Sequence, residues 1–147
     1  MELLIVVAII GIIIGVSSPS VSAGLDSLRL SSATDQLVAF LNGALNRAER
    51  LQQPVELVIT PRRNKVQMFT NEANFTREVE LPEGVVIESV LPKDPDQPDN
   101  EPVRILVLPG ATVPGIGIQI ANQRGSRRIV RVDPITGFPR VESVNPK

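Results

Sequence analysis

Three groups of residues in this 147-residue chain have the types and spacing to do chemistry. The first is a lone carboxylate, Glu2, at the lip of fourteen uninterrupted apolar or glycine residues, Leu3 to Val16. A charge beside hydrocarbon is costly unless a partner neutralises it, so the chemistry of Glu2 is that of an ion pair in a low dielectric. The second group is Arg124, Arg127, Arg128, Arg131 and Arg140, five guanidiniums within seventeen residues. Gathered on one face they would neutralise phosphates, with an affinity that falls as salt rises. The third is the run 92–102, PKDPDQPDNEP, which carries Asp94, Asp96, Asp99 and Glu101. It lacks the glycine turn and terminal glutamate spacing of a helix-loop-helix calcium site and reads as a solvated loop.

Other chemistry is poorly supplied. The chain has no His and no Cys, so it lacks the commonest general base, the commonest metal ligand and any thiolate or disulfide. Its serines have no imidazole to activate them. Glu78, Glu80 and Glu83 read as a solvated strand and turn, and PGATVPGIG at 109–117 lacks the Lys-Ser/Thr and helix start of a phosphate loop. Asn74-Phe75-Thr76 is a glycosylation sequon of low specificity. No Trp or Tyr and only four Phe leave little for stacking bases. The 15 Lys and Arg against 16 Asp and Glu exclude a global pull toward polyanions. The expectation is a protein that is not an enzyme, with no cofactor and no metal.

The elements that must position these groups fall into three spans. Residues 1–24 read as a helix for a membrane or for packing. The described run is short of the about 20 residues a span needs, and Ser17, Ser18, Val21, Ala23 and Leu25 would extend it. A secretory signal peptide competes, but the preceding charge is negative and VSA at 21–23 is a weak cleavage site. Gly11 and Gly15 share a face at the spacing that lets helices approach closely in lipid. Pro19 is expected to kink or loosen the helix. Residues 25–53 continue it as an amphipathic helix, with Leu30, Ala33, Leu37, Phe40, Leu41, Ala44, Leu45, Ala48 and Leu51 in steps of three and four. Residues 54–147 hold 12 of the 13 prolines, which rules out further long helices and points to short strands. Strands are expected at 55–60, 65–69, 77–81, 85–91, 104–108, 117–121, 128–132 and 139–144. The predicted fold class is α+β, with an antiparallel sheet or two small sheets wrapped on the helix from Leu30 to Leu51.

Two stretches resemble a known family. ELLIVVAIIGIIIG, with Glu2 and the later Pro19, is similar to the start of mature type IV pilins and type II secretion pseudopilins. RIVRVDPITGFPRVE, residues 128–142, resembles the closing hairpin of GspH/FimT-type minor pseudopilins, with Asp133, Thr136 and Gly137 at the turn and Arg140 after it. In that turn Asp133 and Thr136 can hydrogen-bond the backbone while Gly137 supplies positive φ. The resemblance implies a pilin-like fold; the sequence departs from the family in lacking its Phe-Thr-Leu and the basic leader ending in Gly, and an upstream reading frame carrying them would settle the match. The resemblance also implies subunit assembly through Glu2, Leu3, Gly11, Gly15 and Pro19, with Glu2 meeting a neighbour's terminal amine. The implied partners are other pseudopilins or pilins, the inner membrane before assembly, and secreted substrates. The implied place is the bacterial inner membrane, single-pass, with a periplasmic head. The implied work is protein export from near the tip of a short pseudopilus. An alternative, a DNA-uptake pilin, would use the five arginines on nucleic acid.

Overall fold

A computed structural model of the chain describes residues 2–72, 75–110, 113 and 115–144, with the backbone alone for 17–21. Met1, the side chains of Ser17, Ser18, Pro19, Ser20 and Val21, and Asn74 of the sequon therefore lie outside the described residues, as does any role of Pro19's ring.

One helix, α1, runs from Glu2 to Leu51, fifty residues and about 75 Å at 1.5 Å per residue. It stops because Gln52 turns left-handed at φ 50°, Gln53 N donates to Ala48 O at 3.3 Å, and Pro54 cannot continue the ladder. From Leu30 onward one face is buried: Leu30, Ala33, Thr34, Leu37, Leu41, Ala44 and Ala48. The alanines bring the sheets close to the helix backbone. Thr34 is the polar exception, and its hydroxyl donates to Leu30 O at 2.6 Å.

Eight strands follow, β1 (Val55–Thr60), β2 (Lys65–Thr70), β3 (Thr76–Glu80), β4 (Val85–Leu91), β5 (Val103–Val107), β6 (Gly117–Asn122), β7 (Arg127–Val132) and β8 (Pro139–Val144). They form two antiparallel sheets of four, ordered β3-β2-β1-β5 and β4-β6-β7-β8. Period-two alternation sends Val55, Leu57, Ile59, Val66, Met68, Ile105 and Val107 inward from the first sheet. Val85, Ile87, Ile118, Ile120, Val130 and Val132 come inward from the second. All join the helix face in one core, where each fully buried aliphatic side chain contributes about 1.5–3 kcal/mol. The fold is thus α+β, a helix against two antiparallel sheets.

Asn64 joins the sheets. It sits left-handed at φ 50° after the 3-10 turn Pro61–Arg63, its carbonyl accepts from Leu81 N at 2.9 Å, and its side-chain oxygen accepts from Ile87 N at 3.0 Å. Beside that contact β4 slips register between Ile87 and Ser89, so Glu88 is the extra residue of a bulge.

Among the described residues, the start of α1 from Glu2 to Val16 has no cover. Every described side chain from Glu2 to Val16 is exposed, and the first buried helix residue is Leu30. Among the described residues, no helix is long and apolar enough to cross a membrane. Leu3 to Val16 alone measures about 21 Å at 1.5 Å per residue, against about 30 Å of hydrocarbon. The single-pass anchor expected from the sequence thus lacks, in the described run, the length it needs. The side chains of residues 17–21, which were to extend it, are outside the description.

Candidate functional site

The feature that sets this molecule apart is the arm of α1 that projects beyond the head, together with the collar that grips its base. The collar is built by one hairpin. Asn122 N donates to Ser126 O at 3.0 Å and Gly125 N to Asn122 O at 3.0 Å, closing a tight turn between β6 and β7. Gly125 takes φ 82°, a left-handed conformation that a side chain would strain. The Asn122 side-chain oxygen accepts from Arg124 N at 3.1 Å and Ser126 N at 2.9 Å, which locks the turn from inside. The locked turn holds Arg124 out toward the helix. Its Nε donates to Asp26 at 2.9 Å and its Nη2 to Ser22 Oγ at 2.9 Å. One guanidinium therefore bridges a full helical turn just above the first buried residue, Leu30.

Leu25, within the collar, and Leu28, between it and Leu30, are exposed, and farther out the arm presents the apolar run. Leu3 is 78% exposed. A Cβ built on Gly11 or Gly15 meets nothing within 4 Å, so their face is open. Glu2 has no ion-pair partner among the described residues. Glu2, Leu3, Gly11 and Gly15 thus all lie on an uncovered stretch of one helix, spread over about 20 Å at 1.5 Å per residue.

No family model, curated protein or solved structure matches this chain.

The turn at Asp133, Thr136 and Gly137 lies at the far end of the second sheet. The Asp133 carboxylate accepts from Ile135 N at 2.8 Å and Thr136 N at 3.2 Å, and Gly137 N donates to Asp133 O at 2.8 Å. Gly137 has φ 70°. The two backbone N–H groups, chiefly that of Ile135, hold the Asp133 carboxyl below the usual carboxylate range. Arg140 lies 3.3 Å from the same carboxylate. The Asp133 arrangement positions backbone and leaves its neighbours Ile135 and Phe138 exposed.

The five arginines do not form a free cationic face. Arg124 bonds Asp26, Arg127 lies 2.8 Å from Glu88, Arg131 lies 3.5 Å from Glu142, and Arg140 meets Asp133. Only Arg128 has no carboxylate within ion-pair distance among the described residues. Register also splits them. Arg131 and Arg140 face each other across β7 and β8 on the outer face with Arg127, whereas Arg128 shares the inner face with Val130 and Val132. Glu88 also accepts from Gln119 at 2.7 Å. Arg127 is the main reason the Glu88 carboxyl sits below its ordinary pKa, and Glu88 in turn raises that of Arg127.

Sequence reasoning missed Ser22 and Asp26 as the seat of Arg124. Partners about a hundred residues apart leave no local periodicity. It also missed Glu88, whose role depends on the bulge, and a second group of arginines, Arg47, Arg50 and Arg77. Among the described residues no group of carboxylates could hold a metal ion.

Proposed function

We propose that the chain is a structural subunit of a pilus-like filament, of the minor-pseudopilin kind, carried in the bacterial inner membrane with a periplasmic head. One observation carries the reading: the exposed apolar run Leu3–Val16, headed by a carboxylate with no ion-pair partner among the described residues and projecting from a head that has its own core. An apolar surface of this kind is a site for lipid or for other proteins. A helix that is apolar all round is stable only when surrounded. Lipid surrounds it before assembly, with the following turns completing the span, and neighbouring helices surround it afterwards. Glu2 then sets register through an ion pair with a neighbour's terminal amine, an arrangement that is attractive in low dielectric and costly when broken. Gly11 and Gly15 allow close approach of the next rod. The collar at Arg124 fixes the head against the base of the rod, so a push along the helix moves the head with it. Such a filament would drive folded substrates toward the outer membrane. The two sequence resemblances, at residues 2–15 and 128–142, support the same reading.

The DNA-uptake alternative is weaker. Four of its five arginines already face carboxylates, which screens them from phosphate.

The test is Glu2→Ala in cells. Membrane insertion is expected to be retained and incorporation into filaments lost. Filaments containing the variant at the wild-type level would refute the role of Glu2.

A further inference from the structure

A second arginine cluster lies on the head, away from the arm. Arg47 and Arg50 from the last turns of α1 and Arg77 from β3 line one cleft of about 360 Å³, with Gly43, Asn46, Met68 and Phe75. Arg47 is already held, stacked 3.4 Å over the Phe75 ring centroid and paired with Glu72. Its Nε is buried with no acceptor among the described residues, so this guanidinium is not saturated. Arg50 and Arg77 are exposed and have no ion-pair partner among the described residues. Three cations against one carboxylate leave a net positive cleft. Glu72 on Arg47 identifies the group it grips, a carboxylate. One face of Phe75 is taken by Arg47.

The same molecule carries the complement. The loop 92–102 has four carboxylates and one lysine. Lys93 is used on Asp99 at 2.9 Å, and Asp94, Asp96 and Glu101 are exposed without a cation among the described residues. The loop leads into β5, and Arg77 lies on β3. The strand order β3-β2-β1-β5 makes these the two opposite edges of one sheet. A contact between them is therefore head-to-tail between copies, the kind that propagates instead of closing on itself.

We propose that the Arg47/Arg50/Arg77 cleft receives the acidic loop 92–102 of a second copy of this chain. The proposal goes beyond helix packing and does not depend on it. One loop in one cleft buries far less than the about 1,200 Å² of a stable interface, so the isolated contact is weak. Its strength grows when arms hold two copies side by side at high effective concentration, and only that gain rests on the proposed function.

The test uses full-length protein in nonionic detergent and a labelled, end-capped peptide of residues 92–102, read by fluorescence anisotropy. Binding is expected at low salt and should fall as salt rises. The double variant R50E/R77E should weaken it at least about tenfold. A peptide with its four acids changed to lysine should bind that variant better than the wild type. The control R62E/R63E makes the same charge change on the 3-10 turn at the opposite end of β1 and β2, and should bind within about threefold of wild type once its net charge is matched by salt. If R50E/R77E unfolds, R50Q/R77Q serves in its place, since both side chains are exposed. The proposal is overturned by no binding at low salt, by equal loss in the control, by unchanged binding to R50E/R77E, or by an uncharged peptide that binds as well. None of these outcomes bears on Glu2, so failure here leaves the filament reading standing.

Discussion

Ile9 and Leu37 belong to one unbroken helix, yet Ile9 is 51% exposed and Leu37 is fully buried. The contrast separates two kinds of apolar sequence. Around Leu37 the apolar residues fall on one stripe, with Asp35, Asn42 and Glu49 elsewhere on the surface. A stripe can be covered by two sheets, and Ala33, Ala44 and Ala48 let those sheets come near. Around Ile9 the helix is apolar on every side. No single face of a head this size can cover it, and none does. The buried half of α1 is part of a fold; the exposed half is a surface waiting for an environment.

The largest expected effect sharpens that contrast directly. Leu37→Ala should cost about 2–5 kcal/mol of head stability, measured by urea unfolding in detergent. Ile9→Ala should leave the same transition within about 0.5 kcal/mol. An equal loss at both positions would break the comparison.

A smaller effect is expected where the second sheet is packed closest. A Cβ on Gly117 would stand 3.2 Å from Ile129 Cγ2 and 3.4 Å from Leu91 Cβ. Gly117→Ala should cost about 1–3 kcal/mol by forcing those side chains to move. The matching change in the arm, Gly11→Ala, meets open space and should cost the head nothing measurable by thermal unfolding.

Much of the head was legible because proline, glycine and alternation punctuate it. Val55–Thr60, Val85–Leu91 and Pro139–Val144 are strands at the expected residues, and Thr76–Glu80 and Val103–Val107 differ from expectation by one. Two small sheets were one of the two arrangements expected, but the choice between one sheet and two was not legible. It depends on β5 returning to β1 across the long loop, and on Asn64 reaching Ile87. Neither leaves a mark in local pattern. The arm's hydropathy was plain from the sequence, and the sheets were expected on Leu30 to Leu51 alone, which is where they lie. The collar was invisible: Asp26 reads as one more polar helix residue until Arg124 arrives from the far end of the chain.

The acid limb of stability tests the head alone. Glu88 and Asp133 have folded pKa values below their ordinary ones, held by Arg127 and by the Ile135 and Thr136 amides. A depressed carboxylate contributes stability that is complete above its unfolded pKa and is lost as pH falls through the folded one. The midpoint of thermal unfolding should therefore drop as pH is lowered below about 4. Glu88→Gln should flatten that slope. A slope identical to wild type would remove Glu88 from the account.

The smallest effect lies at the boundary between the two regions. Arg124→Ala removes a partly exposed bridge and should cost about 0.2–1 kcal/mol globally. Its clearer sign is local, with faster amide exchange at residues 22–29 and none at Leu41.

The most direct measurement is flotation of the full-length chain with liposomes, run beside detergent-free sedimentation. The wild-type chain is expected to float with vesicles and to self-associate in their absence. A variant with Ile5, Ile9 and Ile12 changed to serine should do neither while keeping its head transition. A wild-type chain that stays monomeric in plain buffer, with amides and side chains of residues 3–16 shielded by its own head, would contradict the account.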